Sequence, residues 1–149
     1  MPSESRAAAQ RALIVRGALA PLAVVNAGVG LLAAFAPRRF FDDFPFVASW
    51  VDQLPPYNEH LTTDVGAFYL GFGVLFAWAA VTLERTLVTA LCVVWSVAAT
   101  LHLFFHLRNL DALETGAAVG QTLALVGALV PAVLVLLLGR SGRFTNGGS

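Results

Sequence analysis

Asn58-Glu59-His60-Leu61-Thr62-Thr63-Asp64, at the start of one apolar arm, and Leu101-His102-Leu103-Phe104-Phe105-His106, at the end of another, bracket the stretch that decides the fold. The first arm runs apolar from Val65 to Val81. The chain turns at Glu84-Arg85-Thr86, and the second arm runs apolar through Trp95 to the two histidines. Each arm is about 20 residues long, which at 1.5 Å per residue matches a hydrocarbon thickness of roughly 30 Å, so both read as membrane-spanning helices. The turn is too short for anything but antiparallel neighbours, so the polar ends of both arms fall on one side of a membrane. His60 with Asp64, and His102 with His106, are spaced i, i+4, so each pair is expected to share one helix face.

Working outward, residues 1–12 are polar and Ala-rich, and read as a frayed or interfacial start. An apolar run broken by Asn26 then leads to Ala36. The Arg-bearing start and the Ala34-Phe35-Ala36 pattern imitate a signal peptide, but the apolar run is longer than the usual 7–15 residues, so it reads as a permanent anchor. Between Pro37 and Tyr57, Phe40, Phe41, Phe44, Phe46 and Trp50 alternate with Arg38, Arg39, Asp42, Asp43 and Asp52. Aromatic rings tolerate the headgroup region, so this is an interfacial segment, with a short helix expected from Pro45 to Gln53. Pro55-Pro56 closes it, and Asn58 is positioned to cap the next helix. A last apolar run follows the polar link 107–115, and the tail 139–149 is polar. The expected architecture is all-α, a bundle of four transmembrane helices near residues 14–36, 61–83, 86–107 and 116–138 in one domain.

Composition agrees: 58% of the 149 residues are hydrophobic, 12% are charged and the net charge is zero, with a mean hydropathy of +0.76. These values belong to a membrane protein whose first partner is the lipid bilayer. Nothing resembles the basic footprint of a nucleic-acid binder. The lone cysteine, Cys92, provides neither a disulfide nor a thiolate cluster within one chain and reads as a small buried hydrophobe. With four spans, Arg6, Arg11, Arg16, Arg85, Arg140 and Arg143 share one side and Arg38, Arg39 and Arg108 the other. The positive-inside rule then places both termini in the cytoplasm of a multi-pass cell-membrane protein, with the histidines toward the outside. Small residues recur at Gly66, Gly73 and Ala77, and at Gly116, Gly120, Ala124 and Ala128. They permit close packing within the bundle, in a homo-oligomer or against a partner in a membrane complex.

Ionisable groups inside a span are costly and are usually partnered or functional. Three arrangements accommodate these. One is a metal site for Zn, Cu or Fe drawn from His60, Asp64, His102, His106 and Glu59, on which an enzyme acting on a lipid-soluble substrate could be built. The second is a metal-free His/Asp polar or proton-relay network in a non-catalytic subunit or small transporter. The third is a set of solvated helix ends. Asp64 and His106 each lie 21 residues from Arg85 and are level, whereas His60 and His102 differ in depth by roughly 12 Å. That mismatch argues against one ion taking all four groups and against a bis-histidine haem. Asn26 and Gln121 are the remaining mid-span polar residues and are expected to pair across helices, or Gln121 to reach the cluster.

The run Leu54-Pro55-Pro56-Tyr57-Asn58-Glu59-His60-Leu61, followed by Asp64-Val65-Gly66-Ala67 and by His102-Leu103-Phe104-Phe105-His106, resembles small uncharacterised actinobacterial four-helix integral membrane proteins over roughly residues 35–138. The layout is also loosely similar to DoxX-like proteins, without a matching DoxX motif. The resemblance implies a topology and supplies no activity.

Overall fold

A computed structural model describes residues 2–46, 49–54 and 56–141. In chain order they form α1 (Pro2–Phe35), α2 (Pro37–Asp43), α3 (Glu59–Thr82), α4 (Arg85–Arg108), a 3-10 turn (Leu110–Ala112) and α5 (Thr115–Ser141). Among the described residues there is no strand. Four of these helices are long and apolar enough to cross a membrane. The protein is therefore a multi-pass helical bundle with its aromatic segment between the first two spans. Most of its large apolar side chains, among them Leu13, Val24, Phe68, Trp78 and Val81, stay exposed on the bundle surface, where lipid is their solvent. In that solvent every backbone N–H and C=O needs an internal partner, which the helical ladders provide apart from the interior prolines Pro21 of α1 and Pro131 of α5, each of which lacks the N–H to donate.

Two expectations about the first third of the chain change. Residues 2–12 are not a frayed start: α1 is continuous from Pro2, because its Ala-rich first turns are strong helix formers. The short interfacial helix lies at Pro37–Asp43, not at 45–53, whose described residues form turns and bends. Pro37 occupies the first helical turn, where its missing N–H costs nothing. The i, i+4 pair Arg38–Asp42, at 2.7 Å, braces the short helix. The polar tail beyond Ser141 lies outside the described residues.

The bundle is built from two helix pairs. In the first, α1 packs closely along α3 because both present glycine at the contact. A Cβ on Gly30 would overlap the backbone of Leu70, one on Gly66 the backbone of Ala33 and Ala34, and one on Gly73 the backbone of Ala27. Arg16 ties the same pair at its other end, donating to the carbonyl oxygens of Ala80 (3.1 Å) and Val81 (3.4 Å). Those carbonyls belong to the last turn of α3, where helical donors run out. The helix stops at Leu83, which adopts a left-handed φ of 52°.

In the second pair α4 packs on α5, and the buried Trp95 donates its indole N–H to the Ala128 carbonyl at 2.9 Å. Backbone approach between α3 and α4, the arms of the hairpin, is slight by comparison. Rings fill the space between them: Tyr69, Phe72 and Phe76 each meet Trp95 edge to face, at 5.9, 5.2 and 5.5 Å between centroids. This layer joins Leu19, Leu22, Ala79, Leu91, Cys92 and Val135 in the core, which lies on the terminus-bearing side of the histidines.

The segment after α2 closes the opposite, distal end. Trp50 lies against Gly120 of α5 where a side chain would collide with its ring, and Gln121 donates to the Trp50 carbonyl at 3.2 Å. Gln53 accepts the Glu114 backbone N–H at 2.9 Å, just before α5 begins. Gln121 therefore serves the loop and does not reach the histidines. Nor does it pair with Asn26, which donates to Leu22 of its own helix at 2.8 Å.

Candidate functional site

Asn58 begins α3 as expected, its side-chain oxygen accepting the Leu61 N–H at 3.0 Å. That cap starts the register that sets His60 and Asp64 one turn apart, His60 Nε2 lying 3.2 Å from Asp64 Oδ2. The His60 side chain is 88% exposed, so this pair is a solvated one whose net contribution is small. Glu59 is exposed in the first turn of α3, where a negative charge suits the helix dipole. Nearby, burial pushes the Tyr57 phenol above its ordinary pKa, and the negative charge of Glu59 acts in the same direction. The Arg38 guanidinium stacks over the same ring at 5.0 Å.

The other i, i+4 pair is more organised. His102 Nε2 and His106 Nε2 are 3.1 Å apart, and His102 Nδ1 is 3.3 Å from the Tyr69 hydroxyl on α3. These three groups make a continuous polar row from the end of α4 toward the middle of α3. At its far end His106 Nδ1 is buried without a hydrogen-bond partner. Directly inward of Tyr69 the row meets the apolar layer of Phe72, Phe76 and Trp95. His102 itself is exposed on the bundle surface.

The row can hold its hydrogens in two directions. If Tyr69 donates to His102 Nδ1, then His102 Nε2–H donates to His106 Nε2, and His106 carries its proton on the buried Nδ1. If His106 Nε2–H donates instead, His102 carries its proton on Nδ1 and donates to the Tyr69 oxygen. Each imidazole is neutral in both arrangements, but passage from the first to the second takes the Nδ1 proton off His106 and returns one to the Tyr69 oxygen, so it requires an acceptor at the first atom and a donor at the second.

The two pairs expected from the spacing are therefore both formed, but they do not merge. Asp64 bonds to His60 and not to the level His106. Among the described residues no three of His, Cys, Asp and Glu come together as a group able to hold an ion. The physical reason is the aromatic layer that separates α3 from α4. Residue counting matches the arms in depth but carries no information on their separation. Tyr69 is the site residue that reasoning from charge alone misses. Its signal was present: it is the one tyrosine within the spans, at a depth where aromatic belts do not place one. No protein-family model, no curated protein and no solved structure matches this chain.

Proposed function

We propose that this is a cell-membrane protein with both termini cytoplasmic, whose Tyr69, His102 and His106 form a proton-exchanging site in the outer half of the bilayer. The unbroken row of hydrogen bonds carries this reading. Because an apolar layer stops the row at Tyr69, it is a dead end and not a transmembrane conductor. A molecule meeting the row from the side at the exposed His102 would replace Tyr69 or His106 as its hydrogen-bond partner and supply the proton donor or acceptor that the row itself lacks. The fitting occupant is a lipid-soluble small molecule or a partner membrane subunit, with this chain as a small transporter or non-catalytic subunit.

The 3.1 Å separation supports a second reading. Two imidazole nitrogens bound to a tetrahedral Zn²⁺ at about 2.0–2.1 Å stand roughly 3.3 Å from one another, so the pair is close to a chelating bite without any movement of α4. Zn, Cu or Fe held by His102 and His106 would keep open positions for a substrate or for ligands from a second copy. Tyr69 would then orient the ligand ring through its other nitrogen.

One set of measurements separates the two. For the relay, purified wild type carries substoichiometric metal, and in ¹⁵N-histidine spectra Tyr69→Phe redistributes the tautomers of His102. Stoichiometric Zn, Cu or Fe that is lost in His106→Ala and kept in Cys92→Ala would replace the relay with the metal site. Unchanged tautomers in metal-free Tyr69→Phe would remove the row altogether.

The orientation has its own test. A reporter fused after Ser149 is expected to read cytoplasmic and one inserted near Asp52 to read outside, on the strength of six arginines against three. An external signal from the C-terminal fusion would turn the protein over and put the histidine row in the inner leaflet.

A further inference from the structure

At the end that carries the termini, opposite the histidines, a groove of about 870 Å³ opens between the start of α1, the start of α4 and the end of α5. Its floor is apolar, with Val15, Val88, Val93 and Leu136 among its lining residues, and Arg11 and Arg85 also line it. The volume lies within the range of about 300–1,000 Å³ typical of small-molecule sites. We propose that this groove binds one anionic phospholipid, an acyl chain lying along the floor and the phosphate held between Arg11 and Arg85.

Charge complementarity selects that occupant. This end of the bundle holds Arg6, Arg11, Arg16 and Arg85. Among the residues whose side chains are described, Glu84 is the one acid here. Arg16 sits beyond the lining of the groove, whereas Arg11 and Arg85 line it. Arg11 lies less than two helical turns before Arg16 on α1, and Arg85 opens α4. Both arginines therefore sit where the spans reach the headgroup layer. Basic pockets between transmembrane helices at this level suit phospholipid headgroups, and the apolar floor adds what a soluble anion cannot use. The site is far from the histidine row and does not depend on how that row works.

The test uses the whole protein in detergent micelles, with phosphatidylglycerol and phosphatidylcholine of identical acyl chains as probes, and native mass spectrometry counting retained lipids. One tightly held phosphatidylglycerol per chain is expected, preferred over phosphatidylcholine by more than about tenfold. Near a charged surface each arginine is worth about a fivefold change in affinity, so Arg11→Gln with Arg85→Gln together should lower phosphatidylglycerol binding roughly 30-fold and abolish the preference. Ala12→Phe, which fills the groove and leaves both arginines, should weaken both lipids. Inorganic phosphate at millimolar concentration should not displace the lipid. A wild-type preference near one, a preference that survives both glutamines, or displacement by phosphate alone would each overturn the proposal. The first and last of these need only the wild-type protein, so a variant that fails to fold leaves the proposal decidable.

Discussion

Gly66→Leu is expected to prevent α1 and α3 from docking and to yield a protein that elutes as aggregate or unfolds at a much lower temperature in detergent. A Cβ at this position would fall within the backbone of Ala33 and Ala34. Backbone cannot rotate out of the way as a side chain can, so the two helices must separate. Overpacking usually costs about 1–3 kcal/mol, and a collision with backbone places this case at or above the top of that range. Nothing in lipid compensates, because transmembrane helices associate through van der Waals contact and hydrogen bonds without a hydrophobic term. A gap of about 1 Å already forfeits up to half of a contact's attraction. The control is Gly71→Leu on the same helix, where the added carbon meets nothing within 4 Å. Its unfolding midpoint should match wild type. A Gly66→Leu protein as stable as the control would refute the α1–α3 interface.

The four spans were legible because length and hydropathy are enough to identify a membrane helix, and the Asn58 cap because its chemistry is local. Small-residue spacing was half legible. Gly66 and Gly73 do face α1, yet Ala77 and Ala124 are exposed and Gly116 meets open space. Gly30, the partner glycine on α1, was hidden among neighbouring Gly and Ala residues that carry no directional signal. The aromatic segment was correctly placed between the first two spans. Its helix lies earlier than expected because Pro37, like Pro45, can open a helix, and the Arg38–Asp42 pair braces the one that starts at Pro37. For the candidate site, the i, i+4 rule found both polar pairs, since it needs nothing beyond helical geometry. It failed to foresee that they stay apart, because separation across a hairpin depends on what packs between the arms. Tyr69, Phe72, Phe76 and Trp95 determine that; seven-residue spacing sets Trp95 on the face of His102, but the three rings of α3 look like ordinary lipid-facing hydrophobicity when read singly. The same gap explains Asn26 and Gln121, which found backbone partners in place of each other, Asn26 in its own helix and Gln121 in the distal loop.

Trp95→Ala is expected to cost on the order of 3 kcal/mol and to disturb the histidine row as well as the core. The indole is 5% exposed and joins three helices: its N–H bonds to Ala128 of α5, and its faces and edges meet Tyr69, Phe72 and Phe76 of α3. Truncating a buried tryptophan removes those contacts and leaves a cavity, a loss of about 3–5 kcal/mol in soluble cores; in lipid the packing part of it remains. Tyr69 is the hinge between core and site, because the ring that rests on Trp95 carries the hydroxyl facing His102. Without the indole that ring gains freedom, so the His102 tautomer balance should shift in the direction produced by Tyr69→Phe. Trp95→Phe separates the two roles. It keeps an aromatic edge for Tyr69 but gives up the bond to Ala128, a loss of about 1 kcal/mol, so stability should fall slightly while the histidine spectra stay close to wild type. Thermal unfolding in detergent and ¹⁵N-histidine spectra of the two variants check both parts. If Trp95→Ala destabilises the bundle and leaves His102 and His106 unchanged, the row is held by α4 alone and Tyr69 has no part in positioning it.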